Sequence, residues 1–317
     1  MTGPAGRLGR ADLHIHTLAS DGTAGIEAVL DHVEHRTDLD VMAITDHERI
    51  DAALAGRSMA RDRGLRAEVI IGEEVTTLGG HLLALFIDRQ IRPYRPLRAT
   101  ILAVHDAGGL AIPAHPLVPY PLCAQGWMLR RLLDDPDPRA RPDGLETFNP
   151  TSLGKPWHRR VVRFADQHGL ARLGNSDAHA LDAIATGWTT FPGTTAADLR
   201  QAIDSRATDH GGAFHGTAGQ FGTFGQQLRK RSRDVRDEVA GRVRRDGTGR
   251  DHGYPGGRFR PPRFEAVNGA DVGTVEVVAT VELGGAVGDV TTVVELGGAA
   301  VDVTTVGDVA TGEGGRR

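Results

Sequence analysis

Sulfur, net charge and long apolar runs are all scarce in this chain of 317 residues. Its single cysteine, Cys123, rules out an intrachain disulfide and a metal cluster built on thiolates, and a reducing compartment is the simplest expectation. No stretch reaches the roughly 18 apolar residues of a membrane span. The first ten residues, M-T-G-P-A-G-R-L-G-R, lack an apolar core of signal-peptide length. A soluble, cytoplasmic protein without membrane partners is therefore expected. A net charge of −4, with histidine neutral, gives no general attraction to nucleic acid.

The charge that is present is unevenly placed. Residues 226–263 carry twelve Lys or Arg against five Asp or Glu, whereas 264–315 carry nine acidic residues and no basic one. A basic linker thus precedes an acidic end. The arginine-rich segment from Arg229 to Arg263 has only Tyr254 and Phe259 to stack on bases, and its acids dilute it, so a solvated linker is favoured over a nucleic-acid site. Ordinary hydrophobic patterning stops near Ala207. The division expected is a folded domain at 1–211, an Arg/Gly-rich extension at 212–263 and an acidic tail at 264–317. That tail duplicates V-E-L-G-G-A-V-G-D-V-T-T-V (Val281 to Val293) as V-E-L-G-G-A-A-V-D-V-T-T-V (Val294 to Val306). Two copies are too few for a solenoid, and the composition predicts disorder.

Between Ala11 and Ala207 short apolar runs alternate with amphipathic stretches, the pattern of strands and helices taking turns. Strands are predicted at 11–15, 41–45, 69–71, 82–86, 110–113, 144–148, 171–173 and 186–191. Helices are predicted at 26–35, 52–63, 97–107, 156–168 and 196–205. The useful feature is where the polar residues fall: His14, His47, Glu74, His115 and Asp177 lie at or just beyond the C-terminal end of a strand. Chemistry collects at that end of parallel α/β folds.

Several short motifs supply metal-ligand types. In D-L-H-I-H the alternation of a strand puts His14 and His16 on one face, with Asp21 of S-D-G on the adjoining loop. T-D-H ends an apolar strand and delivers His47, while Asp46 beside it also suits a helix N-cap. Of Glu73 and Glu74 only one can face inward, and Glu74 is favoured. His81 opens the apolar strand L-L-A-L-F-I, where an imidazole needs a partner. In A-H-P, Pro116 blocks helix continuation after His115. In N-S-D-A-H, Asp177 and His179 repeat the spacing of the first pair. The other eight histidines, among them His32, His105 and His158, read as structural or solvated.

These motifs, in this order, closely resemble the PHP family, named for polymerase and histidinol phosphatase domains, over about Arg10 to Asp209. The resemblance implies a distorted TIM-like (β/α)7 barrel. It also implies three metal sites: His14, His16, Glu74 and Asp177; Glu74, His81 and His115; and Asp21, His47 and His179. Six imidazoles and three carboxylates suit two or three Mn²⁺, Zn²⁺ or Fe²⁺ ions better than Ca²⁺ or Mg²⁺. The expected activity is a phosphoesterase acting on a small phosphorylated metabolite or short nucleotide, by in-line attack of a water acidified between two cations. Glu74, Asp177 and His179 are the expected catalytic residues. Relatives hold phosphate with an arginine soon after A-H-P, but here L-V-P-Y follows. Asn149 and the segment G-K-P-W-H-R-R, with Lys155, His158 and Arg159, are the candidates to replace it, unless that segment is a solvated helix start. Histidinol phosphatase, or a metal-stabilised module that binds nucleic acid without turnover, are the alternatives.

Overall fold

V-M-A-I at Val41–Ile44 is apolar and buried at every position, as a strand covered on both faces must be. The computed structural model describes residues 7–120, 122–151, 154–214, 274–283, 286–297 and 300–307. Backbone contacts divide the chain into two units, Met1–Arg244 and Arg245–Arg317.

In the first unit the strands are β1 (Leu8–Ile15), β2 (Val41–Ile44), β3 (Glu68–Thr77), β4 (Gly80–Leu85), β5 (Leu110–Pro113), β6 (Gly144–Phe148), β7 (Ala171–Gly174), β8 (Gly187–Pro192) and β9 (Asp209–Gly212). Seven of them form one sheet in the order β5-β4-β3-β2-β1-β8-β9, and β6 and β7 form a second. β1, β2 and β3 pair in parallel, and the crossovers between them are α1 (Ile26–Arg36) and α2 (Asp51–Arg63). β4, β5, β8 and β9 all join antiparallel.

This is a mixed α/β fold around a curled sheet, in which the antiparallel β4, β5, β8 and β9 depart from the all-parallel order of a regular TIM barrel. Only Leu78 and Gly79 separate β3 from β4. A parallel crossover needs a dozen or more residues, so β4 has to return antiparallel. Gly80 makes that turn at φ 109°, and a Cβ there would meet Ala124 N at 2.5 Å.

The sheet alternates side chains between two apolar clusters. Met42, Ile44, Val69 and Ile71 lie with Val29, Leu30 and Val33 of α1, Ala53 of α2, Ile101 and Val104 of α3 (Leu97–Asp106), and Val161 and Phe164 of α5 (His158–His168). Leu13, Val41, Ala43, Ile70, Leu83 and Ile112 lie instead with Leu199, Ala202 and Ile203 of α6 (Ala196–Asp204). Each fully buried Leu, Ile or Val contributes about 1.5–3 kcal/mol relative to exposure. Strand and helix positions follow the sequence pattern to within a few residues, apart from β3, which runs six residues past its expected end at 71, and α4 (Gly126–Leu133) and β9, which the pattern does not single out. β9 reads D-H-G-G, has no apolar alternation, and is recruited by the free edge of β8.

In the second unit β10 (Thr274–Leu283), β11 (Ala286–Gly297) and β12 (Ala300–Gly307) run antiparallel in that order. The Val-Thr runs favour extended backbone; of the two glycine pairs, 284–285 lies between β10 and β11 in the sequence, whereas Gly297 of the second pair ends β11. The segment Arg229 to Arg263, with His215 and His252, lies outside the described residues. Among the described residues no helix is long and apolar enough to cross a membrane.

Candidate metal centre

D-L-H-I-H offers three polar residues at strand spacing, yet the β1 register shifts between Asp12 and Ile15. Asp12 is occupied by backbone donors instead of facing the other two. Its carboxylate accepts from Ser176 N at 3.0 Å and Ala185 N at 2.9 Å, and burial pushes its acid up to about 6. His14 and His16 face the candidate site with no more than 2% exposure. The loop after β1 doubles back tightly, with Gly22 N donating to Thr17 O at 2.9 Å. A Cβ on Gly22 would stand 2.4 Å from His16 O, so only glycine lets this loop bring Asp21 beside His16.

Glu74 sits inside β3 rather than beyond it, because that strand runs on to Thr77. Its two oxygens meet five imidazoles. Oε2 lies 3.2 Å from His14 Nε2, 3.3 Å from His16 Nε2 and 3.3 Å from His47 Nδ1. Oε1 lies 2.7 Å from His81 Nδ1 and 3.3 Å from His115 Nε2. Neighbouring Glu73 points the other way and accepts from Ile91 N at 2.8 Å, and burial raises its acid to about 8. Asp177 Oδ1 is 3.4 Å from both His14 Nε2 and His16 Nε2. Asp21 lies 3.3 Å from His179 Nε2 and 3.5 Å from His47 Nε2.

All nine residues are therefore brought together. The ligand atoms of eight of them, all but His115, fall into three groups: His16, Asp21, His47 and His179; His14, His16 and Asp177; and His47, Glu74 and His81. Compared with the sets implied by the resemblance, His16 also lies with the Asp21 group, His47 also lies with Glu74 and His81, and His115 approaches through Glu74.

A test of whether these residues suit metal ions comes from atoms left without partners. His14 Nε2, His16 Nε2, His47 Nδ1 and His81 Nε2 are buried and complete no hydrogen bond. Three of them lie 3.2–3.4 Å from Glu74 or Asp177 oxygens without closing a hydrogen bond, an arrangement that costs free energy when buried and that a cation between the groups would relieve. The charges agree. Burial alone would depress the His14, His16 and His47 imidazoles, but Glu74, Asp177 and Asp21 outweigh it and hold them above their ordinary value, His16 at about 10. Burial likewise opposes ionisation of Glu74 and Asp177, and the facing imidazoles hold both well below the carboxylate range. The pocket is a preformed sink for positive charge, filled by protons or by metal. The residues fit divalent ions.

Comparison with known proteins follows the same line. Residues 155–208 match a family model described as PHP-associated. An uncharacterised protein of Methanocaldococcus jannaschii is 31% identical over 151 residues, which span 44% of this chain and 81% of that protein. The chain belongs to the PHP family. A crystal structure from Bacteroides vulgatus, of a two-domain protein containing a predicted PHP-like metal-dependent phosphoesterase, shares the PHP fold. It superposes with a TM-score of 0.54 at 15% identity, covering 96% of this chain and 87% of that one.

Within this PHP fold the expected substrate contacts stand apart from one another. Asn149 is committed to the centre itself, donating from Nδ2 to Glu146 Oε2 and to Asp177 Oδ2, both at 3.2 Å. His158 turns inward, its Nδ1 2.9 Å from Thr147 O, and meets His210 edge-on at 5.1 Å. Lys155 and Arg159 are exposed, with Lys155 Nζ 5.6 Å from the Phe214 ring. Asp46 caps no helix. It grips the loop after β1, accepting from Thr17 and Ser20, while α2 starts without a side-chain cap.

Sequence reasoning assigned no role to Glu146, although a signal existed: it is a carboxylate in a strand, G-L-E-T-F, that is buried at every position. Nor did it foresee that Cys123 Sγ lies 3.3 Å from His115 Nδ1.

Proposed function

We propose that this chain is a metal-dependent phosphoesterase that hydrolyses a phosphomonoester or nucleotide phosphate. The observation that carries the reading is the convergence of six imidazoles and three carboxylates, in which four buried ring nitrogens complete no hydrogen bond. His14, His16, Glu74 and Asp177, then Glu74, His81 and His115, then Asp21, His47 and His179 would hold two or three Mn²⁺, Zn²⁺ or Fe²⁺ ions. Such ions supply Lewis acidity toward a phosphoryl group and acidify water.

The chain's own residues do the rest. Glu74, as the carboxylate common to five imidazoles, spaces the ligand groups. Asn149 donates to Asp177 Oδ2 and so leaves Oδ1 directed at His14 and His16. Lys155 and Arg159 carry exposed positive charge at the start of α5 and would collect the anionic substrate. Backbone bonds from Asp143 N to Ala111 O at 3.0 Å, from Ala178 N to His14 O at 3.1 Å and from His16 N to Ala178 O at 2.9 Å support reading the two sheets as one distorted barrel. A cytoplasmic setting fits the single cysteine.

Hydrolysis of p-nitrophenyl phosphate by the full chain, dependent on added Mn²⁺ and lost in His14→Ala, is the expected result. Turnover that survives EDTA would overturn the reading. A panel of histidinol phosphate, nucleoside bisphosphates and short RNAs then separates the substrate classes. Tight, salt-dependent RNA binding without turnover would favour the binding module instead.

A further inference from the structure

We infer that Glu146 is the positioning residue of this centre, a single buried carboxylate that selects the ring tautomer of His14 and fixes the backbone of His115. The inference rests on the metal-centre reading above and assigns a task to a residue outside the nine candidate ligands.

Glu146 lies in the middle of β6 with 2% exposure and receives four groups. Oε1 is 2.9 Å from His14 Nδ1 and accepts from Asn175 Nδ2 at 2.9 Å. Oε2 accepts from His115 N at 2.7 Å and from Asn149 Nδ2 at 3.2 Å. The two amides are oriented by their other ends, since Asn175 Oδ1 accepts from Leu13 N at 3.1 Å and Asn149 Oδ1 from Thr151 N at 3.1 Å. Their NH₂ groups must therefore face Glu146. A carboxylate receiving three such donors can itself only accept. His14 Nδ1 must then carry the proton.

The consequence lies on the far side of the ring. With Nδ1 protonated, a neutral His14 presents the Nε2 lone pair to the site, and Nε2 is one of the four unpartnered atoms. The other oxygen acts on backbone. His115 has φ 32°, an unusual value made harder by the proline that follows. Its NH is anchored on Glu146 Oε2, which holds the chain in this conformation with Nε2 turned to Glu74. Glutamine can accept from His115 N only by turning its NH₂ to His14, which makes Nδ1 the acceptor, moves the ring proton to Nε2 and removes the lone pair from the site; turned the other way, its NH₂ faces His115 N–H.

The test is titration of the EDTA-stripped full chain and of Glu146→Gln with Mn²⁺, together with ¹⁵N spectra of the imidazoles in the wild type. The variant should bind at least one ion about 10–100-fold more weakly. The wild-type His14 should show the Nδ1–H tautomer when loaded with diamagnetic Zn²⁺. Unchanged affinity and stoichiometry in a folded variant, or the Nε2–H tautomer in the wild type, overturns the inference alone. Absence of Mn²⁺ binding by the wild type overturns the metal-centre reading as well. The spectrum decides even if the variant fails to fold.

Discussion

The carboxylate of Asp46 accepts from both the backbone NH and the hydroxyl of Thr17, each at 2.7 Å, so one side chain beyond β2 anchors the loop that leaves β1. Ser20 Oγ adds a third donor at 2.5 Å. Asp21, the next residue, is thereby delivered to His16, His47 and His179.

Asp46→Ala should therefore act at a distance of one shell. It leaves buried donors unsatisfied, at about 1–3 kcal/mol, and frees the loop carrying Asp21. Urea unfolding should report the stability loss. Mn²⁺ titration should show the weakest-held ion affected first, with the other sites near wild type.

Glu74→Gln keeps the size of the side chain and removes the charge shared by five imidazoles. Turnover should fall by at least about 100-fold, the upper end of what losing an outer partner costs, and fewer ions should be recovered by elemental analysis. The neighbouring Glu73→Gln should retain metal, because Glu73 turns away toward Ile91 N.

Metal removal should destabilise the fold, since ions bind the folded chain and leave buried imidazoles unpartnered when stripped. At about 100 times the dissociation constant the stabilisation is roughly 2.7 kcal/mol. That corresponds to a rise of about 5–10 °C in Tm for a domain of this size. Calorimetry with EDTA and with excess Mn²⁺ measures it, and identical transitions would contradict the reading.

A pH dependence is expected far from the centre. His105 Nε2 lies 2.9 Å from Asp143 Oδ2 and Nδ1 lies 2.7 Å from Arg139 O, so both nitrogens face acceptors and the imidazolium is favoured. The bond to Asp143 raises the His105 value above the ordinary one despite partial burial. A raised folded value stabilises below the unfolded pKa of about 6.5, and the contribution disappears as pH climbs through the folded value. The stability gap between wild type and His105→Gln should be on the order of 1 kcal/mol near pH 5.5 and shrink by about pH 9. Urea unfolding at both values checks it.

Much of this was legible locally. Val41–Ile44, bounded by Asp40 and Thr45, and Leu110–Pro113, opened by two glycines, are apolar runs, and both are strands. His14, His47, His115 and Asp177 were placed at strand ends by the same pattern. What escaped were features set by pairing partners. Asp12 shares the spacing of His14 and His16, but its carboxylate is taken by Ser176 N and Ala185 N, donors that no local pattern reveals. β9 exists because β8 has an edge to fill.

From sequence alone come the kinds of side chain available and the strand tips that carry them, because side-chain alternation is a short-range property of the chain. Tertiary structure alone decided which atoms meet. Leu13 and Asn175 are joined across 162 positions, and His14 and Glu146 across 132. Contacts of that span depend on which strands lie side by side, and only the folded sheet fixes that.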